Sequence, residues 1–290
     1  MRVLITGAAG QLGFDVARHC VASGDDVFAF DRATLDVADR EQVLQVVSSI
    51  GPDVIVHCAT FTNVDGCELD RGKAYLVNAL GCRHVAEAAR HVGARVVGIS
   101  TDFVFDGRGG GVQGGEPYTE WDPTGPLNQY GRSKLGGEME LLCLLGADAT
   151  VVRTSWLSGQ AGSNFVKTML RVAGAGDGPI TVVADQHGCP TFTADLAVTV
   201  RRLAVSRLPG LFHVTNAEPT TWHGFAQAIF AGAGFDPGRV QAITTDQLQP
   251  SRPAVRPAYS VLDNLALRGV GLEAMPPWRP SLAVLLEALR

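Results

Sequence analysis

The stretch 2-RVLITGAAGQLG-13 decides how this chain is read. Residues 2–6 are a short, β-branched apolar run that leads straight into three glycines, Gly7, Gly10 and Gly13, separated by steps of three. An amphipathic helix begins near Leu12. A strand, a tight glycine turn and a helix N-terminus together make an anion site, because the backbone can approach a pyrophosphate closely and the helix's free NH groups point at it. A plain strand-to-helix turn could carry the same glycines. Their placement between strand and helix nonetheless points to dinucleotide binding, with Gln11 and Leu12 joining the three glycines at the cofactor.

The pattern repeats outward from this unit. Short apolar runs at 27–30, 54–57, 95–100 and 150–156 alternate with amphipathic segments near 12–23, 39–50, 67–92 and 129–145. Such alternation predicts a Rossmann-like, doubly wound parallel sheet covered on both faces by helices. After Trp156 the rhythm loosens into a helix near 163–173, a strand at 180–183, a helix near 194–206, a strand at 211–215 and helices near 221–233 and 281–289. The expected division is a dinucleotide-binding domain over 1–156, with 191–215 returning to it, and a smaller, mainly substrate-binding lobe over 157–290.

The second strand ends at Asp31, eighteen residues beyond Gly13. A carboxylate there accepts hydrogen bonds from the adenosine ribose and favours NAD. Arg32 follows directly and suits a 2′-phosphate. A solvated turn would use the same two residues, so the choice between NADH and NADPH stays open.

Composition narrows the function classes. A formal net charge of −5 supplies no basic field, so nucleic acid is not an expected partner, and an anionic ligand must be met by local cations or helix ends. Six cysteines are scattered without a CxxC pair, which predicts reduced core thiols and a cytoplasmic setting. Neither a signal peptide nor a membrane segment is expected. The glycine-rich 107-GRGGGVQGG-115 reads as a flexible loop. His57 lies in an apolar strand and reads as a core histidine. With no second histidine or acid at metal spacing, no catalytic metal is expected.

In 128-NQYGRSKLGGE-138 a tyrosine and a lysine stand four residues apart. On a helix they share a face, so the ammonium of Lys134 would lie near the ring of Tyr130 and favour the tyrosinate. A phenol so tuned can donate or accept a proton at neutral pH. By chance alone many helices carry this spacing. Together with the glycine turn, however, it resembles the extended short-chain dehydrogenases, and more narrowly the dTDP-4-dehydrorhamnose reductase family. The narrower resemblance rests on 100-STDFVFDG-107, 116-EPYTEWDPTGPLNQYGRSKLGGE-138, 152-VRTSW-156, 164-NFVKTML-170, 184-ADQHGCPTFTADLA-197 and 259-YSVLDN-264, in order along nearly the whole chain.

The resemblance implies that Thr101, Tyr130 and Lys134 are the catalytic trio. Thr101 would hydrogen-bond the substrate carbonyl, Tyr130 would deliver the proton, and Lys134 would hold the nicotinamide ribose while lowering the phenol's pKa. It also implies cofactor contacts from Asp36, Val37, Cys58, Ala59 and Thr60. Sugar-nucleotide contacts would come from Val64, Asp102, Phe103, Trp156, Lys167 and Arg256. Arg256, in 251-SRPAVRP-257, aligns best with an Arg-Pro element of the family and is the expected pyrophosphate clamp; Lys167 is a further candidate cation. Trp156 would cover the substrate or anchor a domain interface, and Asn78 reads as a structural hydrogen-bonder inside a helix. Three departures are visible: Phe103 for a usual tyrosine, Leu157-Ser158 for a commoner Val-Tyr pair, and Gly136 for an alanine, at a helix cost of about 1 kcal/mol.

The implied activity is reduction of the 4-keto group of dTDP-4-dehydro-L-rhamnose by NADPH or NADH. Another dTDP-deoxysugar would serve the same chemistry. A different class also fits, a noncatalytic dinucleotide-binding subunit similar to the β subunit of methionine adenosyltransferase. A homodimer is compatible with either reading. Periodicity separates no dimer patch from a core face, and whether a divalent ion would support a dimer also stays open.

Overall fold

A computed structural model describes residues 1–111 and 113–290. Chain order gives β1 (Arg2–Thr6), α1 (Gln11–Ala22), β2 (Asp26–Phe30), α2 (Arg40–Ile50), β3 (Val54–His57), α3 (Val64–Leu69), α4 (Arg71–Tyr75), a π-helical turn (Leu76–Leu80), α5 (Gly81–Val92) and β4 (Arg95–Thr101). Then come α6 (Gln129–Leu145), β5 (Ala149–Thr154), β6 (Leu157–Ser158), α7 (Phe165–Gly174), β7 (Ile180–Val183), β8 (His187–Gly188), β9 (Thr191–Phe192), α8 (Thr193–Ser206) and β10 (Gly210–His213). The chain closes with β11 (Thr220–Thr221), α9 (Trp222–Gly232), β12 (Val240–Ile243), α10 (Leu265–Gly269) and α11 (Trp278–Ala288).

A six-stranded sheet in the order β10-β5-β4-β3-β1-β2, parallel throughout, forms the centre. Alternation along β1 shows why both faces are covered. Val3 and Ile5 pack with Val16 of α1 and with Leu196 and Val200 of α8, whereas Leu4 turns to the opposite face with Val43 of α2, Val85 of α5 and Leu141 of α6. The strand order reverses between β1 and β3, and open α/β sheets bind ligands in the crevice at such a point.

A third core, built around Phe225, Phe230, Trp278 and Leu282, gathers α7, α9 and α11. The helix α8 and the strand β10 pack instead on the central sheet. Beside the third core, β12 pairs in parallel with β7. The sequence reading has no strand there, because VQAI is short and only Val240 is fully buried.

The single helix expected over 67–92 is interrupted. Asp70 leaves the helical conformation at φ −132° and its side chain caps α4 by accepting from Lys73 N at 2.9 Å. Apolar spacing runs on unbroken through such a cap, so periodicity alone does not report it. In the following π turn, Asn78 accepts from Thr60 Oγ1 (2.9 Å) and Phe61 N (2.7 Å) and donates to Phe61 O (3.2 Å) and Ser133 Oγ (3.0 Å). It is the structural hydrogen-bonder expected of it, and it ties the loop after β3 to α6.

The glycine-rich stretch read as a flexible loop includes Val112, which lies outside the described residues. On either side of it the chain is bridged, Gly110 N donating to Glu116 O at 2.7 Å and Gly115 N to Arg108 O at 2.9 Å.

Asn128 starts α6 by accepting from Gly131 N at 2.8 Å. The helix then lies against its neighbours through main chain. A Cβ on Gly131 would overlap the carbonyl oxygen of Phe103, and one on Gly137 that of Asn78.

Candidate active site

A cleft of about 770 Å3 opens at the C-terminal edge of the sheet. Gly7, Gly10, Gln11, Leu12, Gly13, Asp31, Arg32, Asp36, Val37, Cys58, Ala59 and Thr60 line one part; Val64, Thr101, Asp102, Phe103, Tyr130, Lys134 and Trp156 line the rest. Lys167 and Arg256 are the two site candidates that the cleft does not bring in.

The glycine turn is shaped for close approach. Gly7 adopts φ +68°, and a Cβ there would come within 2.7 Å of Ala59 N. A Cβ on Gly13 would overlap Gly7 O. The N-cap of α1 is Gly10, which supplies no capping side chain, and no acidic residue occupies the first turn. The helix therefore presents free NH groups and uncompensated positive dipole to the cleft. Gln11 Oε1 is buried there without a partner. These features fit a dinucleotide pyrophosphate.

At the far end of β2 the two specificity candidates differ. Asp31 Oδ1 accepts from Ala33 N (3.0 Å), Thr34 N (3.0 Å) and Thr34 Oγ1 (2.8 Å), so its carboxylate is folded into its own turn. The Thr34 hydroxyl holds it below the usual carboxylate range. Arg32 is 75% exposed and has one loose ion pair, 3.8 Å to Asp36.

The expected trio comes from two elements. Thr101 ends β4, where its Oγ1 donates to Asp102 Oδ1 at 3.0 Å and receives Phe103 N at 3.2 Å. Tyr130 sits in the first turn of α6, its ring edge-on to Phe103 at 5.8 Å between centroids. Burial raises the pKa of the phenol, and the neighbouring Thr101 hydroxyl pulls the other way. One turn on, Lys134 is buried, its ammonium donating to Ile99 O at 2.6 Å. Burial also lowers the pKa of this ammonium. The expected tuning of the phenol concerns this pair, in which the ammonium is held on a main-chain carbonyl one turn from Tyr130.

Trp156 stacks on Trp222 at 3.7 Å with the rings 10° from parallel, and both line the cleft. Trp156 has φ +48°, which ends β5 short of the expected residue 156. Sequence reasoning missed Trp222, whose position at the start of α9 carries no local signal. It also missed Lys73, a cation of the cleft wall whose ammonium lies 4.8 Å over the Phe61 ring.

The two candidates outside the cleft are otherwise engaged. Arg256 donates through both terminal nitrogens to Asp65, at 2.5 and 2.7 Å, and also to Ala254 O at 2.6 Å. A planar fork that suits phosphate suits a carboxylate equally well, and here it is taken up by Asp65. Lys167 Nζ donates to Gln160 O and to Gly162 O, the latter at 2.9 Å. It shapes the loop carrying Gly162 and Ser163, which do line the cleft.

His57 is buried with Nδ1 2.8 Å from Thr6 Oγ1, while Nε2 has no partner. Among the described residues no group of three or more His, Cys, Asp or Glu side chains is arranged to hold a metal ion.

The reversed sheet order, the uncapped glycine turn and the Thr-Tyr-Lys group on one cleft define an oxidoreductase of the extended short-chain dehydrogenase class. The family model for the RmlD substrate binding domain matches residues 1–290. A dTDP-4-dehydrorhamnose reductase of Streptomyces griseus is 42% identical over 293 residues, covering 99% of this chain and 94% of the relative. The spore coat polysaccharide biosynthesis protein SpsK of Bacillus subtilis is 41% identical over 286 residues, covering 99% and 97%. The crystal structure of dTDP-4-dehydrorhamnose reductase from Bacillus anthracis in complex with NADP superposes with a TM-score of 0.93 at 41% identity, covering 99% of each chain. The chain belongs to the dTDP-4-dehydrorhamnose reductase family.

Proposed function

We propose that this protein reduces the 4-keto group of a dTDP-linked deoxysugar, dTDP-4-dehydro-L-rhamnose giving dTDP-L-rhamnose, with NADPH or NADH. The observation that carries the reading is the meeting of Thr101, Tyr130 and Lys134 in the same cleft as the glycine turn. A bound NAD(P)H would supply hydride. The Thr101 hydroxyl orients the carbonyl oxygen, and the Tyr130 phenol gives that oxygen its proton as negative charge develops. Lys134 has three donors, so it can keep its bond to Ile99 O and still reach a ribose hydroxyl. The Gly7–Gly13 turn holds the pyrophosphate, with Asp31, Arg32, Asp36 and Val37 towards the adenosine and Cys58, Ala59 and Thr60 along the ribose side.

In this reading the lobe of α7, α9 and α11 receives the sugar nucleotide, with the stacked Trp156–Trp222 pair, Val64, Asp102 and Phe103 around the sugar. Lys73 offers a positive charge on the cleft wall itself, while Arg256 is bound to Asp65. The net charge of −5 and six free thiols support a cytoplasmic enzyme without a nucleic-acid partner. No helix among the described residues is long and apolar enough to cross a membrane. A homodimer is the assembly we would test first, by sedimentation.

The deciding experiment follows NAD(P)H absorbance with dTDP-4-dehydro-L-rhamnose and with dTDP-4-keto-6-deoxy-D-glucose. Loss of absorbance with the first sugar, and much slower loss with the second, is expected. Turnover of the second alone would reassign the sugar, and turnover of neither would remove the catalytic reading.

A further inference from the structure

Between β6 and α7 the strap 159–163 runs past the anion end of the cleft. Gly162, at φ +63°, stands against the first turn of α1: a Cβ built on it would lie 3.1 Å from Gln11 Cγ and 3.7 Å from Gln11 N. Gly162 and Ser163 line the cleft together with Gly10 and Gln11. From α1, Arg18 Nη1 also donates to Gln160 Oε1 at 3.5 Å. Three main-chain oxygens of the strap are drawn the other way, onto α7. Lys167 Nζ donates to Gln160 O and, at 2.9 Å, to Gly162 O, while Asn164 Nδ2 donates to Gly159 O at 2.8 Å. Asn164 is itself fixed as the N-cap of α7, its Oδ1 accepting from Lys167 N at 3.0 Å. Neither Lys167 nor Asn164 lines the cleft. No carboxylate among the described residues pairs with Lys167; carbonyls alone hold its ammonium.

We propose that Lys167 is a positioning residue for the coenzyme, holding the 159–163 strap so that Ser163 is presented to the dinucleotide pyrophosphate at the Gly7–Gly13 turn. The inference rests on the coenzyme half of the reading above. A carbonyl oxygen turned towards a phosphate repels it, whereas an amide NH or a hydroxyl attracts it. With the oxygens of Gly159, Gln160 and Gly162 drawn onto α7, the cleft side of the strap is left to donors. These are the Ser163 hydroxyl and the amides of Gly162 and Ser163, which are not spent on main-chain hydrogen bonds among the described residues. An ammonium has three donors on one carbon stem, so a single side chain can gather two carbonyls at once. Lys167 thus belongs to a helix of the sugar-nucleotide lobe and yet serves the coenzyme. The pyrophosphate is common to NADPH and NADH, so Lys167 acts on both alike, unlike a residue that reads the 2′ position.

The test titrates the full chain with NADPH, with NADH and with adenosine 2′-monophosphate, a fragment that lacks the pyrophosphate, at fixed ionic strength. Lys167→Met should weaken both coenzymes by similar factors, roughly tenfold or more, and leave the fragment within about twofold of wild type. Lys167→Arg keeps a cation able to donate to two carbonyls and should restore most of the affinity. Ser163→Ala should weaken both coenzymes by roughly threefold or more and spare the fragment. Because Lys167 acts through the strap that carries Ser163, the double variant Lys167→Met with Ser163→Ala should bind coenzyme little worse than Lys167→Met alone. Ser163→Ala and Lys167→Arg carry the test if Lys167→Met does not fold. An unchanged coenzyme affinity in Lys167→Met, with a raised KM for dTDP-4-dehydro-L-rhamnose at saturating coenzyme, would make the residue a sugar-nucleotide contact and overturn the proposal. Equal weakening of the fragment and the coenzymes, full affinity in Ser163→Ala, or single effects that multiply in the double variant would also overturn it. The titrations need no sugar turnover. Absence of wild-type turnover with any 4-ketosugar nucleotide, beside intact coenzyme binding, would therefore bring down the reductase reading alone.

Discussion

Glu138 and Arg153 meet inside the molecule through two hydrogen bonds, 2.9 Å from Nε and 2.7 Å from a terminal nitrogen, with side chains 4% and 5% exposed. Glu138 lies one turn beyond Lys134 and two beyond Tyr130 on α6, and Ser100 of β4 donates to it as well, at 2.5 Å. The pair therefore ties the helix of Tyr130 to strands β4 and β5. Removing one partner strands the other as a buried charge. Arg153→Met is expected to cost about 3–5 kcal/mol in urea unfolding, and the double change Glu138→Leu with Arg153→Met to recover much of it. A loss below about 1 kcal/mol in the single variant would rank the pair with surface bridges.

Tyr130→Phe should lower kcat on the order of 10²-fold or more while leaving NADPH affinity close to wild type. The phenol acts only once the carbonyl oxygen takes on charge. Fluorescence titration of the coenzyme, set beside steady-state rates, separates the two effects; a wild-type rate would remove Tyr130 from proton delivery.

Coenzyme choice should respond to Arg32 more than to Asp31. One oxygen of the Asp31 carboxylate, Oδ1, is taken up by its own turn, whereas the Arg32 guanidinium is largely free. Arg32→Ala is expected to weaken NADPH by roughly tenfold or more and NADH much less, since a phosphate contact is lost. Direct titration of both coenzymes at fixed ionic strength is the measurement. Equal weakening of the two would count against a 2′-phosphate role.

Acid should destabilise the fold partly through His57. Burial, with the charge of Lys134 acting in the same direction, lowers its pKa to about 3 from an ordinary 6.5. The folded value lies below the unfolded one, so this contribution is intact above about pH 6.5 and is lost as pH falls from there towards 3. Between pH 6.5 and 5 one such group removes about 2 kcal/mol. His57→Asn cannot titrate, so its urea midpoint should fall less over that interval than the wild type's. Parallel pH profiles would show that the imidazole ionises in the fold as it does in water.

Arg256→Ala and Asp65→Ala should behave alike. With the guanidinium bound to Asp65, each change removes the ion pair that joins the 63–65 turn to the 254–256 segment. Both are expected to raise KM for the sugar nucleotide by similar factors, and the double variant to add little. A direct phosphate clamp gives the opposite pattern, in which Asp65→Ala improves binding and Arg256→Ala alone impairs it.

What the sequence disclosed follows from the range of the interactions. The unit β1–turn–α1 is written in adjacent residues, as is the one-turn spacing of Tyr130 and Lys134, and local periodicity exposes such things. The Ser260–Asp102 contact joins residues 158 positions apart, and the Trp156–Trp222 stack likewise joins residues remote in sequence. Nothing local records either. Arg256 is a different case, since its chemistry was legible while its partner Asp65, 191 positions away, was not. At Asp70 a capping carboxylate interrupts the backbone without disturbing the hydrophobic pattern around it.

The contact of α6 with Phe103 and Asn78 at Gly131 and Gly137 has a consequence for anyone altering this enzyme. Where two backbones touch, no smaller residue exists to trade, so the helix cannot be re-seated by repacking side chains. Variation is better aimed at cleft-lining side chains such as Phe103, Trp156 and Trp222, while a library that randomises 131 or 137 would spend its diversity on clones that misplace Tyr130.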